Sequence, residues 1–147
     1  MKVLLPPRLF LICCLGMVLL RMYYPYYLWI SMPYNLTGVV LVVAGLAVST
    51  WGSNTFRQRR TNIHTFKKPD QLVMEGLFKY SRNPMYVGFL IALVGLLVVL
   101  GAASPAMFVL LFLIVTDRWY IKHEENALNE TFGAEYERYK ASTRRWI

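Results

Sequence analysis

Two polar patches, far apart in the chain, hold the residue types that can do chemistry. The first is Arg82, Asn83, Pro84 and Tyr86, preceded by Leu72, Val73 and Gly76. The second is His123, Glu124 and Glu125, with Arg118 one to two helical turns earlier. Pro84 pre-sets the first turn of a helix, and Asn83 stands where a cap belongs. The free amides of that turn, with Arg82 beside them, can hold a carboxylate. The blander alternative leaves Asn83 a cap and Arg82 a charge that fixes membrane topology. Adjacent carboxylates on a helix cannot face the same way. One of Glu124 and Glu125 is therefore expected to pair with Arg118 or Lys122 while the other meets a ligand, unless both belong to a solvated face. His123 and His64 read as interfacial residues, and Tyr136 and Tyr139 as packing against a headgroup layer.

What is absent narrows the chemistry. No phosphate-binding lysine loop and no nucleophile elbow occur. Two histidines without metal-ligand spacing predict no metal site. Hydrolysis, phosphoryl transfer and metal catalysis are thereby disfavoured.

The elements that must position these residues are apolar helices. Of 147 residues, 56% are hydrophobic and 16% charged. Long apolar runs at 7–22, 36–52, 85–100 and 105–121 read as four transmembrane helices, each near the length a bilayer requires. The expected fold is an all-α integral membrane protein, one domain over 1–147, with a cytoplasmic C-terminal helical segment. Pro105 after Gly101 predicts a tight turn between the third and fourth spans. Arg118, Ile121, Glu125, Leu128 and Phe132 share one helical face, Gly133 stops that helix, and a short helix over 134–141 follows. Cys13 and Cys14, adjacent in an apolar run, read as small helix- or lipid-facing residues.

The net charge of +8 does not point to nucleic acid, because the basic residues flank apolar runs. Arg57, Arg59, Arg60, Lys67, Lys68, Lys79 and Arg82 lie between the second and third spans, and Arg118, Lys122, Arg138, Lys140, Arg144 and Arg145 follow the fourth. The opposite side offers Arg21 and a belt of Tyr23, Tyr24, Tyr26, Tyr27 and Trp29. The positive-inside rule then puts both termini and the regions 53–84 and 117–147 in the cytoplasm. All eight acidic residues fall on that side. The apolar start resembles a signal peptide but lacks a cleavage site, so it is expected to stay as a span. Asn35 and Thr37 form a glycosylation sequon that hugs a span and is discounted.

Taken in order, Leu72-Val73 with Gly76, Arg82-Asn83-Pro84 with Tyr86, Glu124-Glu125 with Leu128, Phe132-Gly133, Tyr136 and Tyr139 resemble the isoprenylcysteine carboxyl methyltransferase and phospholipid methyltransferase family. The resemblance covers about the last three-fifths of the chain. It implies an S-adenosylmethionine-dependent enzyme acting on a lipid-like or prenylated-cysteine-like acceptor, with carboxyl O-methylation favoured. It also implies that Leu72, Val73 and Gly76 line the adenine side. Arg82, Asn83, Pro84 and Tyr86 would hold the methionine end. Glu124 or Glu125, beside His123, would hold the ribose or amino group, with Arg118 and Glu125 at the reacting centre. The chain departs from many eukaryotic members at Asn83 and Asp70, where they carry histidine. Its length fits bacterial relatives and hence a bacterial inner membrane. A carboxylate acceptor is already ionised near neutral pH and needs no strong base. An amine would need Glu125 or His123 as proton acceptor. Two other classes remain: an NADPH-dependent membrane reductase of similar architecture, and a non-catalytic membrane partner. Membrane lipid is the expected surrounding, and oligomeric state is not readable.

Overall fold

The computed structural model describes residues 5–59 and 71–147. Arg60, His64, Lys67, Lys68 and Asp70 lie outside the described residues. Among the described residues the chain is all helical and holds no strands. The elements are α1 (Pro6–Tyr23), α2 (Thr37–Gln58), α3 (Pro84–Leu100), α4 (Ala106–Val115), a π-helical turn (Thr116–Ile121), α5 (Lys122–Phe132) and α6 (Ala134–Ser142), with short 3-10 turns at Tyr34–Leu36 and Gly76–Lys79. Two helical stretches, Pro6–Tyr23 and Tyr34–Gln58, are long and apolar enough to cross a membrane. Their outer faces expose large apolar side chains, among them Leu11 at 63% and Val40 at 70%. Water solvates such a surface poorly and a bilayer solvates it well.

The most extensive helix contact is the antiparallel pair α2 and α3. It is built from small residues. Gly45, Ser49 and Gly52 on α2 face Gly88, Ala92 and Met85 on α3. A Cβ at Gly45 would meet the Gly88 carbonyl and the Ala92 backbone, and one at Gly88 would meet Gly45 and Ser49. The two backbones approach this closely because these positions carry almost nothing between them.

Helix α1 packs on α3 and α4 through Leu9, Cys13 and Met17, which recur at four-residue steps and are all buried. Phe10 stacks on Phe89 at 4.7 Å, and Phe112 meets Phe10 edge-on. Cys13 is helix-facing and fully buried, whereas Cys14 is half-buried.

At the end opposite the candidate site, the Arg21 Nε donates to the Leu100 carbonyl. Gly101 turns the chain in the left-handed region (φ 62°), which a side chain would resist. Asn35 of the sequon spends its Nδ2 on the Val99 carbonyl at 3.0 Å.

At the other end, α4 runs through the π turn into α5 without a break. The π turn inserts an extra residue per turn and so re-aims α5, which carries the glutamates. Gly133 (φ 49°) reverses the chain, α6 returns, and the last residues run beside 81–83. There the Arg82 N–H donates to the Arg144 carbonyl at 2.9 Å. Helix α2 extends to Gln58, well past residue 52 where its span was expected to end. Phe56 is thereby carried to the polar end.

Candidate functional site

The two polar patches meet. Arg82, just before α3, is fixed by the last segment of the chain: its Nη1 donates to the carbonyls of Thr143 (2.8 Å) and Lys140 (3.0 Å). Its Nη2 donates to Glu125 Oε1 on α5 at 2.7 Å. The two side chains are only 9% and 12% exposed. Arg145 binds the same carboxylate through Nε and Nη2. It also donates from Nη1 to Asp117, which accepts the Trp146 indole N–H as well. Two guanidiniums thus face two carboxylates. A buried pair of this kind is costly to break, on the order of 3–5 kcal/mol, because the remaining charge is left without a partner.

The neighbouring glutamate has a different task. Tyr86, one turn into α3, donates its hydroxyl to Glu124 Oε1 at 2.7 Å. Adjacent positions on α5 therefore serve different partners, as the helix requires. The expectation that one would pair with Arg118 or Lys122 is replaced: Glu125 takes Arg82 and Arg145. The Arg118 side chain is 84% exposed and lies near Asp117. It borders an outer groove together with Lys122, Glu125 and Arg145.

Between these groups lies an open cleft, about 600 Å³ counting its mouth and about 80 Å³ in its tight interior. Its polar wall is Arg82, Asn83, Tyr86, Glu124 and Glu125. Its apolar wall includes Leu72, Val73, Phe56, Phe78 and Leu128. Phe56 and Phe78 meet edge-to-face at 5.1 Å and form an apolar shelf. Tyr136 and Tyr139 of α6 close the remaining side. Tyr139 is anchored, donating to the Phe78 carbonyl at 2.7 Å. Tyr136 is 1% exposed, and its hydroxyl has no partner among the described residues. The Arg82 Nε is likewise buried and unpartnered. Buried donors rarely stay unsatisfied, so two orphaned donors beside one cleft mark a place for a ligand's acceptors. Burial, with the nearby Glu125 charge second, pushes the Tyr136 phenol up to about 12. It stays a neutral donor at any physiological pH. Burial raises Tyr139 as well. The hydrogen bond to Glu125 raises Arg145.

Of the residues singled out from sequence, Leu72, Val73, Arg82, Asn83, Tyr86, Glu124 and Glu125 surround this one cleft. Gly76, Pro84, His123 and Arg118 are not among its lining residues. Gly76 starts the 3-10 turn with φ 61°, a conformation glycine tolerates. Pro84 is buried at the start of α3, as its fixed φ suits. His123 is exposed on α5. Asn83 occupies the cap position of α3, but its side chain makes no cap bond. Instead its Nδ2 reaches the Arg145 carbonyl at 3.0 Å, and its own N–H donates to the Ser81 hydroxyl. Asn83 ties the end of the chain to the helix start. Sequence reasoning missed Arg145, Trp146 and the Phe56–Phe78 shelf. Arg145 was read only as a topology charge, since no local spacing links it to Glu125. No cluster of metal-ligating side chains occurs among the described residues.

Comparison with known proteins gives a family match and several relatives. The model of the phospholipid methyltransferase family matches residues 34–135. Protein-S-isoprenylcysteine O-methyltransferase of Saccharomyces cerevisiae is 35% identical over 107 residues, which is 70% of this chain and 44% of that protein. The probable protein-S-isoprenylcysteine O-methyltransferase of Oryza sativa subsp. indica is 34% identical over 107 residues, 69% of this chain and 54% of that one. The chain thus spans about half the length of these curated relatives. An uncharacterized protein of Haemophilus influenzae is 36% identical over 63 residues, 43% of this chain and all of that protein. No solved structure matches significantly.

Proposed function

The chain belongs to the phospholipid methyltransferase family, and we propose that it transfers a methyl group from S-adenosylmethionine to a lipid-like acceptor at the cytoplasmic face of a membrane. The single observation that carries this reading is the cleft in which Arg82, Glu124, Glu125 and the orphaned Tyr136 hydroxyl converge against an apolar shelf. Four spans at 7–22, 36–52, 85–100 and 105–121, with both termini cytoplasmic, agree with the charge asymmetry and put the cleft at the inner headgroup level.

The residues fit the donor. The shelf of Leu72, Val73, Phe56 and Phe78 suits a flat base. The Arg82 Nε and the Tyr136 hydroxyl are donors for a carboxylate or a ribose oxygen. Glu124 and Glu125 are acceptors for an ammonium or for ribose hydroxyls. When bound, S-adenosylmethionine supplies a methyl group on a sulfonium, open to in-line displacement by a carboxylate or amine. The chain's own task is then alignment and dryness. Alignment alone is worth on the order of 7–11 kcal/mol in favourable models. Arg82 and Arg145 lock α3, α5 and the end of the chain into one frame, and the Tyr86–Glu124 hydrogen bond holds the wall nearest the apolar helices. Arg118 and His123 lie outside that wall. Prenylated-cysteine-like carboxylates are the favoured acceptors because the reaction then needs no base beyond these groups.

Thermal unfolding of the detergent-purified protein tests the reading. S-adenosylhomocysteine at a hundredfold excess over its Kd should stabilise by about 2.7 kcal/mol, while NADPH should do nothing. Methyl label from the donor should then appear in a lipid-soluble product. Stabilisation by NADPH alone, or by neither compound, would defeat the proposal.

A further inference from the structure

A second cavity, about 960 Å³ counting its mouth, abuts the first. The two share Met85, Tyr86 and Glu124, so the Tyr86–Glu124 hydrogen bond is the partition between them. The second cavity lies between the start of α1, α2, α3 and Glu124 of α5. One wall is the start of α1, at Pro6 and Pro7. Prolines carry no N–H, so this helix end faces an apolar space without exposing those two donors. That wall also lies outside residues 34–135, the segment the family model matches. The facing wall is a stripe on α2, Ser49, Ser53 and Arg57, at four-residue steps that keep them on one face. Phe89 of α3 closes the apolar side.

Several arginines near the polar end are ion-paired, and of those without an ion pair among the described residues, Arg8, Arg57, Arg138 and Arg144, Arg57 alone lines this cavity. Arg59 pairs with Glu75, Arg82 with Glu125, and Arg145 with Glu125 and Asp117. Arg57 has no ion-pair partner among the described residues. A cation without an ion-pair partner among the described residues, at the end of a serine stripe in a pocket whose far side is bordered by Tyr86 and Glu124, complements an oxyanion joined to a hydrocarbon chain.

We propose that this second cavity is the acceptor's port and that Arg57 is its specificity-determining residue, holding the oxyanion of a carboxylate- or phosphate-bearing amphiphile. The assignment of this molecule as an acceptor rests on the methyltransferase reading. The chain enters between α1 and α2, Ser49 and Ser53 offer hydroxyls along its path, and the head lies one partition away from the first cleft. Glu124, already bonded to Tyr86, keeps that partition polar.

The test uses the full chain in a neutral detergent and direct binding of three probes of matched chain length: a prenyl thioether carboxylic acid, its methyl ester, and a lysophosphatidic acid. At least one anion should bind about tenfold more tightly than the ester, the scale of one charge-assisted hydrogen bond at a partly exposed site. Whichever anion binds more tightly identifies the source of the oxyanion. Arg57→Gln should remove that preference, and Arg57→Lys should keep most of it. Ser53→Phe, which fills the cavity, should weaken all three probes. S-adenosylhomocysteine should bind parent and variants alike. An anion preference that survives in Arg57→Gln, or its absence in the parent, overturns the proposal. Failure of the parent to bind S-adenosylhomocysteine overturns the methyltransferase reading instead, whatever the amphiphiles do.

Discussion

The α2–α3 seam and the cleft at its polar end are held together by opposite means. The seam works because atoms are missing: Gly45 meets Gly88 and Ala92, and Gly88 meets Gly45 and Ser49, with no room for a Cβ on either glycine. The cleft works because charges are present: Arg82 and Arg145 converge on Glu125 from either side of it in the sequence. One region tolerates no additions and the other no deletions. The seam gives rigidity, and the cleft gives a place where a ligand's groups complete a pattern already drawn.

The largest expected effect comes from deleting charge. Glu125→Ala should cost about 3–5 kcal/mol in unfolding free energy, because two guanidiniums lose their shared partner. It should also abolish S-adenosylhomocysteine binding. Arg82→Met with Glu125→Leu should recover much of the stability and none of the binding, which separates folding from function in one pair of measurements. Next comes an addition to the seam. Gly45→Leu should destabilise by about 1–3 kcal/mol through overpacking, and the protein that remains folded should bind S-adenosylhomocysteine within about twofold of the parent. Strong loss of binding there would mean that the two regions are not separate devices.

The two α6 tyrosines sharpen the contrast further. Tyr139→Phe removes a donor from the Phe78 carbonyl and should cost about 1–3 kcal/mol of stability. Tyr136→Phe removes a hydroxyl that has no partner among the described residues. It should leave stability unchanged or slightly raised, yet weaken S-adenosylhomocysteine by about tenfold, roughly one hydrogen bond to ligand.

The smallest effect is alkaline. The folded-state Tyr136 phenol lies at about 12, above its usual 10. Folding therefore favours its neutral form. That contribution is whole below pH 10 and is lost as pH climbs from there towards 12, by at most about 1.4 kcal/mol per pH unit. Tyr136→Phe should make that part of the stability profile shallower, leaving the slope that buried Tyr139 contributes, seen by thermal unfolding between pH 9 and 11.

Much of this was legible in the sequence. The helices were, because apolar runs bounded by Pro6, Pro84, Gly101 and Gly133 leave few alternatives. The meeting of the Arg82 turn with Glu124 and Glu125 was expected from the order of the motifs, although Glu125's partners were not. Arg145 and Trp146 reach the site only because Gly133 turns the chain back and the last residues lie beside 81–83, a long-range register that no local spacing encodes. Asn83 was read as a cap from its position, yet its side chain is drawn to the Arg145 carbonyl. The seam could have been read: Gly45, Ser49 and Gly52 repeat the spacing of Gly88, Ala92 and Gly95. Spacing alone does not say which two helices pair.

Photo-crosslinking with methyl-labelled S-adenosylmethionine, followed by peptide mapping, tests most directly whether the cleft holds the methyl donor. Saturable label should fall within 71–86 and 120–145, and excess S-adenosylhomocysteine should compete it away. Label confined to the apolar helices, or label that no competitor displaces, would contradict the assignment.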